Sequence, residues 1–359
     1  TVAGADVVRV ESAAGAQLRQ RGPLLSEAEG AYAAYWDGGK RSVALALDSA
    51  AGRESFLALA ANADVVLESC VPGWLDERGL GWDALHAANP RLILVSATRF
   101  GQTGPYRNHK AGELGLWSRS SMISFMGYPD RRPLIPGGDL GTVLMATTGA
   151  IAVVAALRAR NLTGLGQWVD VSAHETLCFT SSSMLNQIED FAERQRSGDR
   201  APALGPYGFF PCADRLANVM ALFPEHWTAL SRWIDEKTGR NISGDERFNT
   251  SATVRFALAD EIAPHINALT GLYEADAFCN EAQRRGIPAM PVNSIAELLV
   301  NPHLEAIGFW QTVELRDGEA VKLPGPPFRM AGVRPPRRAP GVGEHTAEVL
   351  AEWAQPRES

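Results

Sequence analysis

The sequence is poor in cysteine and in basic residues. Its 359 residues include four cysteines, scattered without a Cys-x-x-Cys pair or a Cys/His spacing that would gather metal ligands. Lys and Arg number 34 against 41 Asp and Glu, and the resulting net charge of −7 argues against a nucleic-acid surface. The composition predicts a globular protein of about two domains, with no metal site and no nucleic-acid partner. Reduced, scattered cysteines are typical of the cytoplasm.

Several motifs that mark large enzyme classes are also absent. No G-x-G-x-x-G or G-K-[ST] phosphate loop follows a predicted strand, and Ser172 does not lie in a G-x-S-x-G elbow. No basic and apolar leader opens the sequence, so we expect no signal peptide. The one long uncharged run, residues 140–157, contains three Thr and two Gly and is flanked by Asp139 and Arg158. We interpret it as a helix buried in a soluble core and expect no membrane span.

The pattern of apolar residues predicts an α/β protein. Short β-branched runs alternate with helical stretches in the first half, which is typical of a parallel sheet covered by helices. The predicted strands are residues 6–10, 42–47, 64–68, 91–97 and 167–171. The predicted helices are residues 113–125, 140–157 and 172–193, then 226–236, 252–269 and 276–285, with a hairpin at 207–223 and a last helix after Gly343.

Seven short motifs occur in order along the chain. They are Gly-Lys-Arg-Ser-Val (39–43), Ala-Asp-Val-Val-Leu-Glu (63–68) with Pro72-Gly73, Asn-Pro-Arg-Leu-Ile (89–93), Phe-Gly-Gln-Thr-Gly-Pro-Tyr (100–106), Thr-Gly-Leu-Gly-Gln-Trp-Val-Asp-Val-Ser (163–172), Arg-Gly-Ile-Pro-Ala (285–289) and Gly-Glu-His-Thr (343–346). Together they resemble the family III CoA-transferases, the CaiB/BaiF proteins. Each string is common by itself, but their colinear order from Gly39 to Thr346 is specific.

The resemblance implies an architecture. It predicts a Rossmann-like large domain built from both chain ends, residues 1–194 and 317–359. A linker at 195–206 then leads to a smaller inserted α+β domain at 207–316. It also implies an interlocked homodimer. In the family a strand, an Ala-Gly-Pro loop that lines the site and a helix precede the equivalent of residues 4–8. If that segment is missing from this protein, we expect the sheet to lack a central strand and part of the CoA pocket.

The resemblance also implies a reaction. In the family an aspartate attacks an acyl-CoA, releases CoA from a mixed anhydride and is converted to an aspartyl-CoA thioester, which the acceptor carboxylate attacks. CoA would therefore be present as a thioester substrate, and the partners would be an acyl-CoA and a small carboxylic acid. The alternatives are another CoA-ester enzyme, such as an isomerase, dehydratase or lyase, or a catalytically silent CoA-binding subunit.

The three phosphate groups of CoA need cationic partners on an acidic protein. Positions that match the family's CoA-side motifs carry Arg19, Lys40, Arg41 and Lys110. Arg78 is a further candidate, although the family's basic residue falls on Glu77. The alternative for each is a solvated surface charge.

Three residues are candidates for catalysis. In register with the family, the nucleophilic aspartate falls on Thr142, and Asp139 lies three residues earlier, close to one helical turn away. Asp139 is either the nucleophile or the N-cap of the following helix. Glu113 matches an acidic active-site position that orients substrate or moves a proton, or else it is a helix-start carboxylate favoured by the helix dipole.

Overall fold

The computed structural model describes residues 1–26, 29–180, 196–200 and 204–353. Its strands are β1 Val8–Glu11, β2 Leu24–Ser26, β3 Glu29–Gly30, β4 Arg41–Ala44, β5 Val65–Glu68, β6 Ile93–Thr98, β7 Trp168–Ser172, β8 Tyr207–Pro211, β9 Leu216–Met220, β10 Ala289–Pro291, β11 Trp310–Glu314 and β12 Ala320–Pro324. Its helices are α1 Ala31–Trp36, α2 Ala50–Ala61, α3 Trp82–Ala88, α4 Glu113–Arg119, α5 Leu140–Thr163, α6 Ala173–Thr180, α7 Pro224–Thr238, α8 Ala252–Ala257, α9 Ala259–Thr270, α10 Ala275–Arg284, α11 Ile295–Leu299, α12 Pro302–Ala306 and α13 Thr346–Trp353.

The mixed α/β class is confirmed, and each of the five parallel strands lies within three residues of its predicted bounds. The chain forms two compact units. The first comprises residues 1–112, 141–176 and 300–359, and the second comprises residues 113–140 and 177–299. The domain boundaries expected from the resemblance stay a prediction. Residues 195 and 201–203 of the predicted linker, and residues 181–193 of the predicted helix at 172–193, lie outside the described residues.

Parallel pairing defines the first unit. β1 pairs with β4, and β5, β6 and β7 form a three-stranded sheet in that order, with Val65 opposite Ile93 and Leu94 opposite Trp168. β6 is buried along its whole length because it is the central strand and both of its faces are covered. Leu92 and Leu94 pack with residues of α2, α3 and α13, while Ile93 and Val95 pack against α5.

The two parallel sheets of this unit share one hydrophobic cluster. Val43 of β4, Leu94 of β6 and Val349 of α13 belong to it, and Val8 of β1 and Val66 of β5 pack against it. Among the described residues, β1 hydrogen-bonds only to β4, and β5 only to β6. One edge of each strand is therefore unpaired in the part of the chain that the structure describes.

The long apolar run forms α5, but it is not buried within this chain. Only 17% of its most apolar stretch is buried, and Ile151, Val154 and Leu162 are each about two-thirds exposed or more, at 67%, 67% and 73%. The expectation of a helix enclosed by the core of its own chain was therefore wrong. Among the described helices, α5 is the one long and apolar enough to cross a bilayer by length and composition alone, and a single such helix is weak evidence for a membrane span.

The second unit is an antiparallel sheet covered by helices on one face. The sheet has the order β10-β9-β8, and Phe210, Ala217 and Val219 point from it into a core shared with α7, α9 and α10. α7 begins with Pro224 at its first position and ends at Gly239, whose φ of +69° is readily adopted by glycine. In the core of this unit the Trp233 ring of α7 stacks on the Phe278 ring of α10, with 5.1 Å between the ring centroids.

Candidate active site

The segment that follows β6 is a loop at the carboxyl end of the three-stranded sheet. Ligands of open parallel sheets bind at this end of the strands. The Gln102 backbone N–H donates to the Asp170 carboxylate at 2.7 Å, and the Gln102 side-chain amide donates to Glu68 at 3.3 Å. Gly101 has φ +81°, and a Cβ there would lie 3.2 Å from the Asp170 carboxylate. Glycine at this position lets the loop fold back onto β7.

This loop carries three exposed cations, Arg99, Arg107 and Lys110. Within the described residues their side chains make no hydrogen bond or ion pair, so their charges are available to a ligand. Lys110 was predicted from the sequence, whereas Arg99 and Arg107 were missed. A signal was present, because both arginines adjoin the quoted Phe-Gly-Gln-Thr-Gly-Pro-Tyr motif.

Four rings pack together beside these cations. The Phe100 ring lies 6.3 Å from Tyr106, 6.1 Å from His109 and 5.7 Å from His174, and the Tyr106 and His109 rings are 4.9 Å apart. The backbone N–H of His174, at the start of α6, donates to the Arg99 carbonyl at 3.0 Å. The ring cluster and this hydrogen bond fix the base of the loop against α6.

Arg19 is engaged in a buried ion pair. Its guanidinium donates to both oxygens of Glu11, at 2.9 and 2.5 Å, and to the Pro340 carbonyl at 2.7 Å. Burial would raise the pKa of Glu11, but hydrogen bonds from Arg19, from the Ser42 hydroxyl and from the Ala16 N–H lower it to about 2. Arg19 thus holds together residues that are far apart in the sequence.

Lys40 and Arg41 also have carboxylate partners. Lys40 donates to the fully buried Asp37 at 2.9 Å, and Arg9 pairs with the same carboxylate. Arg41 reaches Asp6 and, in α13, Glu348 and Glu352. Burial by itself would lower the pKa of Arg41, but the hydrogen bonds that Arg41 donates to the Glu352 and Asp6 carboxylates raise it. A phosphate at either cation would have to displace or share these carboxylates.

Arg78 faces an open cleft. It pairs with Asp48 at 2.8 Å and lies 3.8 Å from the centre of the Trp74 ring. With Asp48, Arg53 and Glu77 it lines a cleft of about 400 Å³. Two cations and two carboxylates line this cleft, so its walls carry no excess positive charge.

The three catalytic candidates lie at helix starts. Glu113 is the first residue of α4 and accepts a hydrogen bond from the Trp117 indole N–H at 3.2 Å. Asp139 is half-buried and directly precedes α5, which is the position of an N-cap, and Thr142 is exposed in the first turn of that helix. Glu113 and Asp139 belong to the second unit and Thr142 to the first. Their roles stay predictions.

Comparison with known proteins gives a consistent result along the chain. The family model described as CoA-transferase family III matches residues 2–346. The chain is 31% identical to the succinyl-CoA:(R)-benzylsuccinate CoA-transferase subunit BbsE of Thauera aromatica, over 98% of this chain and 89% of that protein. It is 29% identical to the succinate–glutarate CoA-transferase of Agrobacterium fabrum, over 97% and 89% of the two chains.

A solved structure agrees with these sequence relatives. The crystal structure of a CaiB/BaiF family protein from Brucella suis superposes with a TM-score of 0.85 and 28% identity, over 97% of this chain and 92% of that one. The mixed α/β fold of the chain is therefore the fold of that family.

Proposed function

This chain belongs to CoA-transferase family III and transfers CoA between an acyl thioester and a carboxylic acid, and we propose that succinyl-CoA is its donor and a dicarboxylic acid its acceptor. The support comes from the names of its relatives. They include a succinyl-CoA:mesaconate CoA-transferase of Haloarcula hispanica, 29% identical over 97% of this chain and 89% of that protein, besides the benzylsuccinate and glutarate enzymes. All of these acids carry two carboxylates.

The phosphates of CoA bind the loop at residues 99–110. The observation that carries this assignment is the presence of three exposed cations without side-chain partners, Arg99, Arg107 and Lys110, at the carboxyl end of the central strand. Each contact from a cation to a phosphate is a charge-assisted hydrogen bond. At Arg19, Lys40 and Arg41 a phosphate would have to displace a carboxylate or share the cation with it, so these contacts would contribute less net free energy.

Asp139 carries the acyl group in this proposal. Its carboxylate attacks the succinyl carbonyl and the C–S bond breaks, giving a mixed anhydride and CoA thiolate. The thiolate then attacks the aspartyl carbonyl and releases succinate, leaving an aspartyl-CoA thioester. The acceptor carboxylate then attacks the carbonyl of the aspartyl-CoA thioester, which gives a second mixed anhydride and CoA thiolate. The thiolate finally attacks the acceptor carbonyl of this anhydride, which forms the acceptor CoA thioester and releases the Asp139 carboxylate. Glu113 orients the acceptor acid.

The test is transfer itself. We expect the protein incubated with succinyl-CoA and mesaconate, glutarate or malate to form the CoA ester of at least one acid, detected by mass spectrometry. A covalent adduct that hydroxylamine removes should accumulate when the acceptor is left out. If no acid of the panel is esterified while the protein still binds CoA, the proposed substrates are wrong.

A second candidate keeps the reaction but divides it between two different chains. Some relatives carry names of subunits, among them BbsE and the alpha and beta subunits of a succinyl-CoA–L-malate CoA-transferase of Chloroflexus aurantiacus. The resemblance puts Thr142 where the family has its aspartate, so a partner chain would then supply the carboxylate that is acylated. We expect such a chain to bind CoA alone, to form no adduct, and to regain transfer when the partner is added.

We further propose that a second copy of the chain covers the exposed face of α5, as an interlocked homodimer, and that the sheets β4-β1 and β5-β6-β7 are parts of one Rossmann-like sheet. The apolar side chains exposed on α5 support the dimer. The shared hydrophobic cluster and the parallel pairing support the single sheet. The four cysteines, all within the described residues, form no disulfide, which supports a cytoplasmic location.

A further inference from the structure

The proposed phosphate-binding loop, residues 99–110, carries an exposed histidine besides its arginines and lysine. His109 is exposed and lies between Arg107 and Lys110 in the sequence. Its backbone N–H donates to the Tyr106 carbonyl at 2.8 Å, and its ring lies 4.9 Å from the Tyr106 ring and 6.1 Å from Phe100. The turn and the two rings thus hold the imidazole on the loop that carries the free cations.

An imidazole at such a position binds anions in a pH-dependent way. Histidine is the side chain that ordinarily gains its charge between pH 8 and 5. When protonated it has two N–H donors and a positive charge, and when neutral it has one donor and no charge. Arginine and lysine side chains ordinarily keep their charges over that range. A protonated imidazole would therefore add a fourth cation to the three that this loop carries.

We propose that His109 is a further ligand of the CoA phosphates, and that its protonation makes CoA bind more tightly as the pH falls. The proposal rests on the assignment of the CoA phosphates to this loop and adds a residue that the family motifs did not single out. It predicts that CoA binding takes up a proton on this chain.

The groups around the ring favour this assignment. The titratable and charged groups on the loop and on the elements that contact it are Arg99, Tyr106, Arg107, Lys110, Glu68, Asp170, His174 and Glu175. Asp170 accepts the Gln102 N–H, so part of its charge is already satisfied. His174 contacts the Phe100 ring, which also contacts His109. The charges that share the loop with His109 are cationic, and a phosphate is the group that would offset them.

The ligand for the experiment has to be chosen with care, because CoA itself titrates. Its 3′-phosphate is a monoester, whose second ionisation occurs near pH 6. Dephospho-CoA lacks that group and keeps the diphosphate, whose charge is constant between pH 5.5 and 8. Calorimetric titration with dephospho-CoA therefore reports only on protein groups. We expect the wild-type affinity to rise about tenfold from pH 8 to pH 5.5, the size of one charge-assisted contact.

Three variants complete the test. In His109→Asn the affinity for dephospho-CoA should change less than twofold between pH 8 and pH 5.5. His109→Lys should bind dephospho-CoA tightly at both of these pH values. His303→Asn, a change at an exposed histidine on α12, should keep the wild-type pH dependence. If His109→Asn keeps the wild-type pH dependence, the role of His109 is wrong while the loop assignment stands. If wild type binds neither CoA nor dephospho-CoA at any pH, the proposed function fails as well.

Discussion

The role of Asp139 decides whether this chain is itself acylated or depends on a partner chain that is acylated. If Asp139 forms the anhydride, Asp139→Asn should abolish CoA transfer, because an amide oxygen is a far weaker nucleophile than a carboxylate. Asparagine still caps helices well, so the folding of α5 and the affinity for CoA should change little. Transfer assays, calorimetry with CoA and thermal unfolding check the three parts separately.

The matched control is Asp130→Asn, which changes an exposed carboxylate in the same connection between α4 and α5. It should transfer CoA at the wild-type rate. Full activity in Asp139→Asn would remove Asp139 from the mechanism. The two-chain candidate would instead be supported by a wild-type protein that transfers CoA only after a partner chain is added.

The sequence identified candidate CoA-binding cations, but it did not identify the carboxylates that pair with them. The family motifs singled out Arg19, Lys40 and Arg41, and all three have carboxylate partners in the structure. Glu11 lies 8 residues from Arg19, and Asp6 lies 35 residues from Arg41. A pattern read along the chain does not show which charges the fold brings together, and this is also why the unpartnered Arg99 and Arg107 were not preferred.

At the scale of elements, α5 exposes Ile151, Val154 and Leu162, and the proposal that a second copy of the chain covers them can be tested directly. Val154 is 67% exposed. Val154→Asp should prevent dimer formation, because an aspartate buried at the interface would lose its hydration without a partner. Light scattering coupled to gel filtration measures the change, and circular dichroism checks that the monomer is folded.

Val254→Asp, at an exposed valine of α8, serves as the control and should leave the dimer intact. In wild type, labelled and unlabelled dimers should exchange subunits as slowly as they unfold, because interlocked chains separate only by partial unfolding. A wild-type monomer, or exchange within minutes, would contradict the interlocked dimer.

The type and bounds of helices and strands were predicted better than their burial. Strands such as β6 were found within a few residues because β-branched runs bounded by turn residues are local signals. The helical state of α5 was predicted correctly as well, but its burial was not. Apolar composition shows that a helix needs an apolar neighbour, and it does not show whether that neighbour is the same chain.

For the whole molecule, a set of ionic and polar contacts joins the last part of the chain to the first. The Gly343 N–H donates to the Ser42 hydroxyl at 2.8 Å, the Ala44 N–H donates to the Thr346 hydroxyl at 3.0 Å, and Arg19 reaches the Pro340 carbonyl. Ser42 in turn donates to Glu11 at 2.6 Å. The ion pair of Glu11 and Arg19 is thus part of the joint between the two chain ends.

Because Glu11 takes part in these contacts, we expect the stability of the fold to fall in acid. The pKa of Glu11 is lowered from 4.5 to about 2 in the folded protein, so its contribution to stability is complete above about pH 4.5 and is lost as the pH falls towards 2. For Glu11 the loss is about 3 kcal/mol. The pKa of Glu344 is lowered to about 2 by Arg338 and shifts the stability in the same direction.

Urea unfolding at pH 7, 4 and 3 measures this loss, and limited proteolysis reports release of the C-terminal segment. Glu11→Gln should be less stable at pH 7 and show a smaller further loss on acidification. The exposed Glu54→Gln should behave like wild type. An unchanged acid dependence in Glu11→Gln would show that this pair does not set it.

The division of the chain has a consequence for its synthesis. The first unit needs residues 300–359 as well as 1–112, whereas the second unit is complete once residue 299 has been made. On the ribosome, the inserted unit can therefore finish folding while β1, β4 and their shared core still wait for α13. The nascent chain keeps part of its apolar surface uncovered until α13 has emerged, and this is the period in which it has most need of a chaperone.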